Sequence, residues 1–250
     1  MPAVWTDPAV DWDAFALVVV RSTWDYITRR DAFLAWAHGV PRLANSAAVL
    51  EWNIDKRYLA ELAAAGLPVV PTTFVEPGGA PDAAALSGEV VVKPAVSAGS
   101  LDTGRHADPD AAAAHVTRLH EAGRTAMLQP YVAGVDEAGE TALLYLGGRW
   151  SHAIRKGPML VGERRTVDGL FLEEDIRPRE PSAAELELGE HVMAVVAERF
   201  GSLLYARVDL LPGPGGEPLV VEVELTEPSL YLETNSGAPG RLAAAIAARV

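Results

Sequence analysis

The sequence predicts an α+β fold: a small α/β piece over residues 1–49, then one composite α+β body over residues 50–250. Three observations predict it. The run AFALVVV (residues 14–20) is short, apolar and rich in β-branched residues, and reads as a buried parallel strand. ETALLYLGGRWSHAIRK (140–156) and YARVDLLPGPGGEPLVVEVEL (205–225) read as antiparallel hairpins around Gly-rich turns. Residues 182–200 are amphipathic at helical spacing, with Leu188, Val192, Val195, Val196 and Phe200 on one face. A strand and helix followed by antiparallel hairpins do not fit a purely doubly wound sheet.

The remaining elements follow in order. RRDAFLAWAHG reads as a short helix stopped by Gly39. Asn53 is placed to cap a helix through IDKRYLAELAAAG, ended by Gly66. LPVVPTTFV is a strand bounded by prolines, and Glu89 to Lys93 is a strand running into the small-residue loop PAVSAGSLDTG. Residues 108–122 have Ala-rich helical spacing, and AMLQPYVAG is a short strand ending in a connector. In the first hairpin Gly147 and Gly148 form the turn, a register that pairs Leu146 with Arg149 and, counting back, Glu140 with Arg155. Residues 157–175 have weak periodicity and read as a loop, and PGRLAAAIAARV closes the chain as a helix.

Composition narrows the function classes. A charged fraction of 22% beside 49% hydrophobic residues is globular. The net charge of -13 argues against generic nucleic-acid binding. Zero cysteines exclude disulfides, thiolate catalysis and Cys-ligated zinc. No run approaches about 18 apolar residues, so no membrane span is expected. The N-terminus lacks a basic region followed by an apolar one, which leaves cytoplasmic residence as the default. The six histidines show no ligand spacing. Oligomeric state stays open, a homo-oligomer included.

The second hairpin carries the chemistry. Alternation puts Arg207 and Asp209 on one face and Leu204, Ala206, Val208 and Leu210 on the other. If Asp209 pairs with Glu222, Arg207 faces Glu224 and all four share one surface. Three carboxylates that close repel unless cations neutralise them, which suits hard divalent ions. A solvated sheet face with Arg–Glu pairs is the other reading. Lys56, expected in the first turn of a helix, opposes the helix dipole unless an anion docks nearby. Lys93 ends an apolar strand, and the loop behind it is small enough for backbone N–H groups to approach phosphates. Neither a Walker A loop nor a G-x-G-x-x-G fingerprint occurs. RSTWDY follows the first strand, where α/β sheets bind ligands.

Taken in order, Lys56, Lys93 with its loop, LQPYV, Arg207-x-Asp209 and Glu222-x-Glu224 resemble the ATP-grasp superfamily. RSTWDY, SHAIRKGP and VELTEPSLYL resemble its branch containing the O-ureido-D-serine cyclo-ligases and glutathione-synthetase-like relatives. The resemblance implies an ATP-grasp fold, in which two α+β subdomains hold ATP, and carboxylate activation through an acyl phosphate. It implies ATP contacts from Lys56, Lys93, Ser97, Gly99 and Ser100. Gln129, Pro130, Tyr131 and Val132 would form the adenine connector, with Asp136 or Glu137 on ribose. Asp209, Glu222 and Glu224 would hold Mg²⁺, and Arg207, Arg155 and Lys156 would act on the transferring phosphoryl group or the substrate carboxylate. Arg21, Ser22, Thr23 and Ser229 would touch an amino-acid-like carboxylate substrate.

Arg155 pairing only with Glu140, Trp24 and Tyr26 lying in the core, and residues 157–175 serving as a lid with Arg164 and Arg165 or as a plain surface loop all stay open. The second metal strand commonly reads E-x-N, and Gln129 stands where an acid is common. Relatives begin with a further strand and helix before DPAVDWDAF, so a truncated start or a reduced N-terminal subdomain is expected. A non-catalytic nucleotide binder and a metal module without ATP are the competing functions.

Overall fold

The computed structural model describes residues 1–158, 160 and 175–250, and between the last two only the backbone of two short strands. The N-terminal piece holds β1 (Val18–Val19), α1 (Arg30–Gly39) and β2 (Leu43–Ala44). β1 and β2 pair in parallel, as the apolar run predicts. Only two of its residues pair, and its first, Ala14, ends a 3-10 helix (Trp12–Ala14) that the Asp11 side chain caps.

Residues 47–64 form two helices, α2 (Ala47–Ile54) and α3 (Tyr58–Ala64). Asn53 is therefore not a cap. It is buried near the end of α2, where its amide donates to the Val223 carbonyl at 2.6 Å and accepts from the Leu225 N–H at 2.7 Å. An edge strand leaves backbone groups without ladder partners, and a buried one must find them elsewhere. That tertiary demand overrides the local capping signal.

The first α+β lobe contains β3 (Thr73–Val75), β4 (Val90–Pro94), β5 (Gly104–His106), α4 (Pro109–Glu121) and β6 (Ala126–Pro130). The strands form an antiparallel sheet in the order β3-β6-β4-β5. Helix α4 starts at an Asp108 cap with proline in its first turn and buries Val116 and Leu119 against Val90, Val92 and Leu128.

The second lobe follows α5 (Val135–Ala138). It contains β7 (Glu140–Leu146), β8 (Arg149–Lys156), β9 (Thr166–Val167), β10 (Phe171–Leu172), β11 (Ile176–Pro178), α6 (Ala183–Phe200), β12 (Tyr205–Pro212), β13 (Pro218–Glu224) and α7 (Ala238–Ala247). β9 and β10 pair with each other, and the other five strands form an antiparallel sheet in the order β11-β8-β7-β12-β13. Most of the expected loop at 157–175, with Arg164 and Arg165, lies outside the described residues.

Two layers cover this sheet. Helix α6 opens with a Ser182–Glu185 capping box and buries Leu188, Val192, Met193 and Val196 in one core with Leu143, Tyr145, Ala206 and Val208. Val195 and Phe200 are only partly buried, and the buried stripe takes in Gly189 and Met193 instead, with Val192 and Val196 at its centre. A Cβ at Gly189 would collide with the Tyr145 hydroxyl, so glycine lets helix and sheet approach there. On the other face, Ala142, Leu144, Ile154 and Leu204 form a second core with Leu230, flanked by Leu242, Ala245 and Ile246 of the α7 region. Beyond that cover the same face carries Glu140, Lys156, Arg207, Asp209, Glu222 and Glu224.

Asn45 fastens the N-terminal piece to this sheet. Its amide donates to the Tyr205 and Leu225 carbonyls at 2.9 and 2.8 Å and accepts from the Leu204 N–H at 2.8 Å. It sits at φ 57°, a conformation asparagine tolerates better than most residues. Asn45→Ala leaves three buried backbone groups unpaired. The expected loss is about 2–4 kcal/mol, read as a lower urea midpoint at unchanged m-value.

Candidate active site

A cleft of about 390 Å³ separates the first lobe from the charged face of the five-stranded sheet. Its first-lobe wall contains residues 129–132 of the connector, with Val91 beside them and Val70 and Leu211 adding apolar surface. Gln129 is buried and donates to Thr72 Oγ1 at 3.0 Å. Ser97, Ala98, Gly99 and Ser100 line the cleft, and Gly99 and Ser100 both take positive φ.

Both lysines reach this cleft. Lys56 lies in the break between α2 and α3, not in a helical first turn, and its N–H donates to the Ala95 carbonyl at 2.9 Å. Its buried ammonium donates to Ser97 O at 2.9 Å and lies 3.1 Å from Glu222 Oε1. Lys93 is buried on β4 and has no hydrogen-bond or ion-pair partner among the described residues. Burial lowers its pKa, against the opposing field of Glu222.

The acids stand opposite. β12 and β13 pair Arg207 with Glu224 and Asp209 with Glu222, the expected register, and a bulge at Val221 follows at once. Asp209 is fully enclosed: Arg207 Nε and Nη2 donate to it at 2.8 Å, and Lys156 Nζ donates at 2.7 Å. Burial pushes Asp209 up, but Arg207 and Lys156 outweigh it and hold the carboxyl well below its ordinary range. Burial likewise opposes Lys56 and Lys93 at Glu222, and the lysines win. Glu224 pairs with Arg207, yet burial and the neighbouring acids raise it. Glu140 shares Lys156 with the more tightly paired Asp209, and burial pushes it up to about 7.

A second bulge corrects the first hairpin. Leu146 faces Arg149 as expected, but Ser151 is an extra residue in β8. Glu140 therefore pairs with Lys156, and Arg155 faces Thr141. Arg155 does not line the cleft: its guanidinium goes to the Ala138 and Glu137 carbonyls and to Asp175. Asp136 and Glu137 are also absent from the lining, and the Asp136 carboxylate is engaged by the Tyr131 hydroxyl and Arg105. Arg21, Ser22 and Thr23 stand behind the wall. Arg21 donates to the Pro228 carbonyl at 2.6 Å, and Trp24 and Tyr26 of that segment face the cleft instead. Ser229 lines the cleft, its carbonyl accepting from Arg207. Sequence reasoning missed Glu140 and Glu227. A carboxylate at a strand end, or just past the acidic strand, is the signal that marked them.

The donor set fits a hard divalent ion. Asp209, Glu222 and Glu224 offer carboxylate oxygens on one face of the cleft, and no histidine lines it. No three such acids or histidines are gathered as a ready metal cage among the described residues; each of these acids is held by a protein cation.

Two lobes with an acidic sheet face opposite two lysines define the ATP-grasp ligase class. A solved D-alanine–D-alanine ligase from Bacillus anthracis, complexed with ATP, shares this fold at TM-score 0.63 and 15% identity, covering 92% of this chain and 74% of its own. The crystal structure of the D-cycloserine synthetase DcsG matches at TM-score 0.87 and 37% identity, covering 98% of this chain and 87% of its own. The cycloserine biosynthesis protein DcsG of Streptomyces lavendulae is 40% identical over 265 residues, 98% of this chain and 87% of that protein. The family model of the D-cycloserine synthetase DcsG N-terminal domain matches residues 1–45. The chain belongs to the DcsG family of ATP-grasp enzymes, and it is an ATP-dependent, ADP-forming ligase.

Lys93→Met separates binding from stability. It removes a buried ammonium without a hydrogen-bond partner, so the melting temperature is expected to hold or rise. ATP affinity, read by calorimetry, is expected to fall at least about 10-fold, the loss of one charged contact.

Proposed function

We propose that this enzyme is a cyclo-ligase that activates the carboxylate of an amino-acid-like substrate and closes it on its own nitrogen, as a cycloserine-type synthesis requires. The observation that carries the reading is the pairing across the cleft, with Lys56 3.1 Å from Glu222 and Lys93 behind it. The 40% identity to the cycloserine biosynthesis protein supports the substrate class. The N-terminal match to residues 1–45 supports a boundary near residue 49 between the reduced α/β piece and the ATP-grasp body. The identity to a biosynthesis protein supports a cytoplasmic site of action, and no helix among the described residues is long and apolar enough to cross a membrane.

The residues divide by chemistry. Lys56, Lys93 and the loop bearing Ser97, Gly99 and Ser100 bind phosphates, and residues 129–132 bind adenine. Asp209, Glu222 and Glu224 would hold Mg²⁺, which supplies charge neutralisation at the phosphates. Arg207 and Lys156 face the same acids and stabilise charge developing on the transferring group. The substrate carboxylate oxygen bonds to the γ-phosphorus as the bond to the ADP oxygen breaks, and the electron pair leaves with ADP. The internal nitrogen then bonds to the acyl carbon, phosphate departs, and the nitrogen's proton passes to solvent.

Glu222, about a quarter exposed, is the clean probe of this assignment. Glu222→Gln is expected to lower magnesium-dependent ADP release from O-ureido-D-serine by at least about 100-fold with an unchanged circular dichroism spectrum. Full activity in that variant overturns the metal assignment. Asp209→Asn is expected to abolish turnover too, but it removes the carboxylate that Arg207 and Lys156 share and leaves each with a single acid, Glu224 and Glu140. A cost of about 1–3 kcal/mol in unfolding free energy is expected with it, the loss of charge-assisted hydrogen bonds.

A further inference from the structure

Glu227 is a buried carboxyl group that the chemistry above does not use. It is 6% exposed, it lines the cleft, and its Oε2 has no partner among the described residues. Its place is rigid. Leu225 donates to Asn53 at 2.7 Å, and the Tyr205 hydroxyl donates to the Thr226 carbonyl at 2.9 Å, so the backbone leading to Glu227 is pinned by buried groups. The Trp24 side chain donates a hydrogen bond to it. The nearest guanidinium, Arg21, spends an N–H on the Pro228 carbonyl.

An unsatisfied buried oxygen in a ligand cleft calls for a donor from the ligand. The charge of that donor follows from the surroundings. Burial and the Glu224 charge push Glu227 up to about 9, so the carboxyl is neutral while the cleft is empty, and a cation docked beside it favours its ionised, accepting form. Phosphates and the reacting carboxylate belong with Lys56, Lys93 and Arg207. What remains of an α-amino acid is its ammonium. Trp24, 37% exposed on the same wall, presents an indole that also favours a cation.

We infer that Glu227 is the specificity residue that receives the substrate ammonium, with Trp24 beside it, an assignment that rests on the ligase reading. It fixes which end of an amino acid faces the γ-phosphate and selects against acids that lack the amine.

The test compares O-ureido-D-serine with its deamino analogue, 3-(ureidooxy)propanoic acid, on wild-type protein and Glu227→Gln. ADP release and calorimetry are measured for both acids, and ATP affinity as a control. The variant is expected to raise the KM for the amino acid about 10–100-fold, the loss of one charge-assisted hydrogen bond. The KM for the deamino analogue and the affinity for ATP are expected to stay within about twofold. Equal losses on both acids, or no change on either, overturn the assignment. Normal ammonium selectivity in the variant beside active wild type refutes Glu227 alone. Wild type that binds ATP but neither binds nor turns over either acid refutes the ligase reading, and the Glu227 assignment falls with it.

Discussion

The structure depends on one constraint: ionised groups on a sheet face that is withdrawn from water. Taking a single charge out of water costs several kcal/mol even after relaxation. Here the face carries Arg207, Lys156, Asp209, Glu140, Glu222 and Glu224, and Lys56 meets them from across the cleft. Each charge is tolerable only because an opposite charge lies within hydrogen-bond reach. The fold therefore has to deliver several strands and a helix break to one place, and much of the architecture around the cleft serves that delivery.

Two bulges do part of this work. Between paired strands, one extra residue exchanges the faces of everything beyond it. Ser151 in β8 brings Lys156 opposite Glu140 and turns Arg155 out toward the Ala138 carbonyl. Without it, a guanidinium would stand where the ammonium now closes Asp209. Val221 in β13 lies beside the cleft acids, where the added twist alters the strand just before Glu222. Buried amides hold the result in place: Asn45 and Asn53 satisfy backbone groups of β12, of β13 and of Leu225 just after it, from a loop and a helix distant in sequence.

These details set what the sequence could reveal. The acidic hairpin was legible because alternation and a Gly/Pro turn fix its register, and Arg207–Glu224 and Asp209–Glu222 pair as expected. The lysines and the connector at residues 129–132 were legible by order along the chain, and all reach one cleft. Arg155 and Lys156 were indistinguishable, because a bulge leaves no residue signature when the extra residue is a serine in a polar stretch. The Asn53 helix start failed for a related reason. Its capping preference is local and worth about 1 kcal/mol, whereas the unsatisfied backbone of β13 was a tertiary demand that no neighbouring residue announces.

The same electrostatics separates permanent from exchangeable partners. Asp209 is 2% exposed and is shared by two cations that hold it ionised, so its pairing belongs to the folded state itself. Glu222 and Glu224 are about a quarter and a third exposed, and each has one principal cation. On the assignment proposed above, an arriving phosphate competes for Lys56 and Arg207, and the acids they release would be free to accept a divalent ion. Ligand binding would thus exchange ion pairs at Glu222 and Glu224, whereas Asp209 keeps Arg207 and Lys156 and offers the ion a remaining carboxylate lone pair. On that reading the charged face is both stable when alone and receptive to a triphosphate. An apolar face would be the first without the second, and a face of unpaired acids the second without the first.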